Sequence, residues 1–123
     1  RISNYLNCFY SSSSPFIISI ISSKQHVSST HGSLEISSSL IPKKSVVFTE
    51  KDKNGKVTKQ KTKDEFNQVK MDKIVVLQNE NTASASEVLT GALKDNLGDK
   101  VTTVGTTSYG KGTDRTILGW NKF

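Results

Sequence analysis

The chain has 123 residues, enough for at most one small domain. Only 33% of them are hydrophobic, a low share for a self-sufficient core, so part of the chain is expected to need further segments to pack. The formal charge is +6, but its lysines crowd between Lys43 and Lys73 among Glu50, Asp52, Asp64 and Glu65; without a nucleic-acid-binding motif this reads as a solvated hairpin, and no nucleic acid is expected as a partner.

Residues 1–40 form a Ser-rich segment of unclear structure. Ser11 to Ser14, Ser22-Ser23, Ser28-Ser29 and Ser37 to Ser39 interrupt any helical period. The run Phe16-Ile17-Ile18-Ser19-Ile20-Ile21 is too short to span a membrane and reads as a buried strand. A single cysteine, Cys8, excludes an internal disulfide and a Cys-based metal site. His26 and His31 have no partner at ligand spacing, so no metal and no cofactor is expected. The chain starts at Arg1 and is read as a piece of a longer product.

From residue 41 the pattern becomes consistent. Ser45-Val46-Val47-Phe48-Thr49 is β-branched and aromatic, as strands are. Asn54-Gly55 then marks a hairpin turn, and Val57-Thr58 begins the return strand. Residues 64–70 are an ambiguous connection. Lys73-Ile74-Val75-Val76-Leu77-Gln78 reads as a strand covered on both faces. Ala85, Val88, Leu89, Ala92 and Leu93 recur at helical spacing, so a helix is predicted from Ser84 to Asn96 with Gly98 as its C-cap. Val101 to Val104 and Thr113 to Leu118 are the remaining strands, joined by a loop from Gly105 to Gly112. The middle of this segment is a βαβ unit, which places a site at the carboxyl end of its first strand, beside a helix N-terminus.

Two stretches stand out. In Thr82-Ala83-Ser84-Ala85-Ser86-Glu87, Ser84 and Glu87 have the spacing of a capping box, an ordinary way to start a helix. In Ser108-Tyr109-Gly110-Lys111-Gly112-Thr113, a lysine lies between two glycines. The spacing and order of a phosphate-binding loop are absent there, and an exposed turn lysine is the plain reading.

Taken together and in this order, the two stretches resemble the signature of the C-terminal processing, or tail-specific, serine peptidases. The likeness extends back through Ile41-Pro42-Lys43 and the hairpin, covering about two-thirds of the chain. It implies an α/β fold for residues 41–123, a partial βαβ catalytic core carrying a β-hairpin, with an irregular N-terminal part. It implies a serine endopeptidase with a Ser–Lys dyad: Ser84 as nucleophile, Lys111 as general base and the Ala85 amide as oxyanion donor. Ser86 and Glu87 fall on the helix, where support and capping are expected. The chemistry is coherent, since a serine hydroxyl needs a neighbouring base and a lysine serves as one only when burial lowers its pKa.

This sequence departs from the family pattern in several places. The position that would orient the base, four residues after Lys111, holds Arg115. The upstream Gly-Gly loop that would supply a second oxyanion donor is matched best by His31-Gly32-Ser33-Leu34-Glu35, which keeps only Gly32. Ser84 and Lys111 are 27 residues apart, slightly more than usual, with the excess at Leu97-Gly98-Asp99-Lys100. The resemblance further implies a PDZ module and core segments in the full-length protein. It implies protein or peptide C-terminal regions as substrates, and an outward location: periplasmic, extracellular or membrane-anchored. The isolated chain is expected to be inactive; the alternative is a decayed peptidase fragment acting at most as an interaction module.

Overall fold

The apolar run after Lys73 and the helix that follows it organise the fold. A computed structural model of the chain describes residues 7–11, 14–21, 30–110 and 116–118. In order these form β1 (Asn7–Ser11), β2 (Ser14–Ile21), α1 (Thr30–Leu40), β3 (Val46–Lys51), β4 (Val57–Lys61), β5 (Ile74–Gln78), α2 (Ala85–Leu97), β6 (Val101–Gly105) and β7 (Thr116–Leu118). One sheet has the order β1-β2-β5-β6 and the other β4-β3-β7. The chain is α/β, as expected.

The βαβ unit forms where the pattern put it. β5 and β6 run parallel, with Ile74 opposite Val101 and Gln78 opposite Gly105. Val88, Leu89, Ala92 and Leu93 of α2 are buried in one cluster with Ile74 and Val76. Each fully buried Leu or Val there contributes about 1.5–3 kcal/mol of transfer free energy. Gly98 ends α2 with φ 53°, its N–H donating to the Lys94 carbonyl. The expectation that β5 is covered on both faces does not hold among the described residues. Leu77 and Val104, paired across β5 and β6, are 37% and 48% exposed, so only the face toward α2 is packed.

The N-terminal part is more regular than its serine content suggests. β2 is an inner strand, antiparallel to β1 and parallel to β5. Residues 30–40, read as irregular, are a helix packed on α2. Ser33, Leu34, Ile36, Ser37, Ser38, Ser39 and Leu40 are all buried, and four of these seven are serines, so no apolar period marks the helix in the sequence. The Ser38 hydroxyl donates to the Leu34 carbonyl at 2.6 Å, the back-bonding open to a helical serine. His31, assigned no partner in the sequence, pairs with Glu35 one turn on at 3.1 Å. The connection after β4 then straps the helix end. Gln68 Nε2 donates to the carbonyls of Ser38 and Ile41, and the Val69 N–H donates to that of Ser39. These bonds satisfy carbonyls that a helix terminus leaves open.

In the hairpin, β3 and β4 are antiparallel, with an irregularity between Val46 and Phe48. That extra residue lets the neighbours Val47 and Phe48 both reach the core. The loop is wider than a two-residue Asn-Gly turn. Only Gly55 has positive φ, 82°, and the Asp52 carboxylate accepts the N–H groups of Asn54 and Lys56, each at 2.9 Å. Its lysines 51, 53, 56, 59 and 61 are exposed, as a solvated hairpin requires.

Gly105 makes the sheet register testable. At φ 121° a Cβ added there would lie 1.9 Å from the Gln78 carbonyl oxygen. Gly105→Ala is expected to lower the unfolding free energy by about 2–3 kcal/mol, read as a fall in the urea midpoint. An unchanged midpoint would mean that β5 and β6 do not meet in this register.

Candidate active site

The turn between β5 and α2 is tightly built. Thr82, fully buried, donates its N–H to the Asn79 carbonyl at 2.9 Å, and its hydroxyl accepts the Asn79 N–H at 3.0 Å. The Asn79 side chain accepts the Asn81 N–H at 3.0 Å. Both sides of the turn are therefore held before the chain reaches Ser84.

Ser84 is held in a backbone conformation that L-residues rarely adopt, φ 55° and ψ −119°. Gly98, at the other end of α2, has almost the same angles, and a glycine takes them without strain. Keeping a side chain there costs about 1–3 kcal/mol. A sharp strand-to-helix turn of this kind lifts a serine hydroxyl clear of the backbone.

The capping box expected from the sequence is present, and Glu87 does more than cap. Its Oε2 accepts the Ser84 N–H at 2.9 Å. In the reciprocal half of the box the Ser84 hydroxyl faces the Glu87 N–H as the acceptor, so the hydroxyl keeps its own proton to donate elsewhere. The other carboxylate oxygen, Oε1, accepts the Gly110 N–H at 2.6 Å. One buried carboxylate, 2% exposed, thus joins the amides of Ser84 and Gly110. This bridge was missed in the sequence, where a backbone N–H leaves no signal.

The Gly110 contact is the last of three ties. The Thr106 N–H donates to the Gln78 carbonyl at 3.2 Å, and the Tyr109 N–H donates to the Thr82 carbonyl at 2.9 Å. The loop after β6 therefore runs alongside the β5–α2 turn for its described length. Gly110, at φ 75°, sits directly before Lys111. Lys111 and Arg115 themselves lie outside the described residues. Tyr109 stands out from the surface at 64% exposure, whereas the Ser108 hydroxyl beside it is buried with no hydrogen-bond partner among the described residues.

Electrostatics reinforce the first tie. A hydrogen bond from its own backbone, and then the Thr106 hydroxyl at 3.0 Å, hold the Glu80 carboxyl below its usual range. A depressed carboxyl pKa stabilises the fold above the unfolded value and loses that effect as pH falls through the folded one. The added bond from Thr106 to Glu80 is thus complete at neutral pH and weakens in acid, while the backbone tie to Gln78 does not titrate. Among the described residues no three His, Cys, Asp or Glu side chains come together to hold a metal ion.

At the start of α2 the amides are not all used. Ser86 donates its N–H to the Ala83 carbonyl and Val88 to that of Ser84. The Ala85 N–H has no partner among the described residues. Ser86 is buried at the second position of the helix. The first turn of α1 abuts this region, because the Ser33 hydroxyl donates to the Ala85 carbonyl at 2.6 Å. Gly32, read as a loop glycine, lies in that helical turn. Ser33 escaped notice in the sequence, where a serine in a Ser-rich segment carries no signal.

The strain at Ser84 has a measurable consequence. Ser84→Gly is expected to be more stable than Ser84→Ala by about 1–2 kcal/mol, because glycine relieves the backbone while both variants lack the hydroxyl. Thermal unfolding of the two variants reads the difference; equal stability would contradict the strained geometry.

The model of Peptidase family S41 matches residues 29–122. A carboxyl-terminal-processing protease of Synechocystis sp. is 37% identical over 83 residues, which is 64% of this chain and 17% of that protein. A lipoprotein from Streptococcus agalactiae shares the fold with a TM-score of 0.52 at 19% identity, over 85% of this chain and 50% of that structure. The chain therefore spans only a part of each. The family match contains α1, the βαβ unit and both motif stretches, and the chain belongs to Peptidase family S41.

Proposed function

We propose that this segment supplies the reacting groups of a serine endopeptidase of the C-terminal processing type, with Ser84 as nucleophile and Lys111 as general base. The observation that carries the reading is the Glu87 bridge. It sets a strained serine beside the loop that leads into the lysine, with both anchored to one carboxylate. Two amides held by one carboxylate lie no more than about 8 Å apart at ordinary hydrogen-bond lengths. The flexible stem of a lysine one residue further on spans such a gap.

In this reading the Lys111 amine takes the Ser84 Oγ proton as Oγ attacks the scissile carbonyl. The oxyanion of the tetrahedral intermediate is met by the Ala85 N–H, at the positive end of α2. Gly32, in the adjacent first turn of α1, is the candidate for a second donor. The proton passes from Lys111 to the leaving amine, and water then hydrolyses the acyl-enzyme by the same base. Arg115 is the candidate for a neighbour that tunes the base. The substrates are C-terminal regions of proteins or peptides, and the full-length enzyme faces outward, as periplasmic, extracellular or membrane-anchored peptidases do.

The test uses the full-length gene product with an unstructured protein substrate. Ser84→Ala and Lys111→Ala are expected to lower turnover by about 10⁴-fold or more, whereas Ser86→Ala keeps it within a few-fold. Full activity of Ser84→Ala, or loss confined to Ser86→Ala, would overturn the assignment.

A further inference from the structure

The serines of α1 do not share one role. Ser33, Ser37, Ser38 and Ser39 are all buried. Ser38 and Ser39 donate to carbonyls of their own helix, and the Ser37 hydroxyl has no partner among the described residues. Ser33 alone reaches α2, donating at 2.6 Å to the carbonyl of Ala85, 52 residues away, with no solvent exposure of its own. A helical carbonyl accepts the N–H four residues on and keeps a second lone pair for such a donor.

We propose that Ser33 is a positioning residue of the active site: its hydroxyl locks Ala85 in the first turn of α2, so that the Ala85 N–H keeps its aim at the developing oxyanion. This rests on the assignment of Ser84 and Ala85 above. Ser33 touches neither substrate nor reacting atoms. It acts by fixing the residue whose amide does, and by holding the α1 turn that carries Gly32 against the same place. Oxyanion donors work only when they sit about 2.7–3.1 Å from the atom that becomes charged. A displacement near 1 Å reduces the rate by up to about 100-fold. A buried tie between the two first turns suppresses such a displacement. Its hydroxyl is committed to the Ala85 carbonyl, so its removal is expected to leave the proton-transfer equilibrium unchanged.

The experiment compares Ser33→Ala, Ser38→Ala and Ser84→Ala in the full-length gene product by steady-state peptide hydrolysis and thermal unfolding. Ser38 is the control: it is equally buried and hydrogen-bonded, at 2.6 Å to Leu34 and 2.8 Å from the Lys63 N–H, but it does not contact α2 through these bonds. Ser33→Ala is expected to lower kcat about tenfold with KM within twofold and an unchanged pH–rate midpoint. Ser38→Ala is expected to lose stability while keeping kcat. Should Ser33→Ala fail to fold, the near-isosteric Ser33→Cys, a weaker donor, carries the expectation with an intermediate loss of kcat. If Ser33→Ala or its Cys substitute matches Ser38→Ala in kcat, or shifts the pH midpoint, the positioning role is overturned while a dead Ser84→Ala leaves the dyad standing. An active Ser84→Ala overturns both.

Discussion

The buried carboxylate of Glu87 is the constraint on which the site depends. A carboxylate taken out of water needs hydrogen bonds, and here it takes them from backbone N–H groups of two separate segments. One is the start of α2, where a helix leaves its first amides open. The other is the loop after β6, which has no regular structure to hold it. Removing the carboxylate would free both of these amides at once. The 3.6-residue period puts Glu87 on the same side of the helix start as Ser84, so one side chain caps the helix, braces a strained serine and moors the neighbouring loop.

Around that point the fold acts as a frame. β5 and β6 are parallel and in register, so the turn and the loop leave the sheet at the same edge. Gly105 permits the close approach to Gln78 with which the loop begins. From the other side α1 is pinned at both ends, by Ser33 on Ala85 and by Gln68 on its last carbonyls. Two helix N-terminal turns, each the positive end of its helix, therefore meet beside Ser84.

The parts of this arrangement that rest on side-chain pattern were legible in the sequence. Val88, Leu89, Ala92 and Leu93 announce α2, Gly98 its end, and Ser84 with Glu87 its start. The parts that rest on backbone partners or on buried polar groups were not. α1 could not be read because Ser37 and Ser38 stand at core positions and owe their burial to tertiary packing. The hairpin loop was misjudged because the Asp52 carboxylate, not a second positive-φ residue, shapes it. The second face of β5 was read as covered because an apolar run does not say on which side its partner lies. The ties at Thr82 and Glu87 use the N–H groups of Tyr109 and Gly110, which any residues at those positions would also supply.

The central claim is that Glu87 joins the two motif stretches into one site, and native-state amide hydrogen exchange tests it most directly. In the folded protein the amides of Ser84 and Gly110 should be protected. In Glu87→Ala both should exchange far faster, while the amides of Leu89 and Leu93 in the α2 core keep their protection. If Gly110 exchanges at the same rate with and without the carboxylate, the loop is held by something else and the account of the site is wrong.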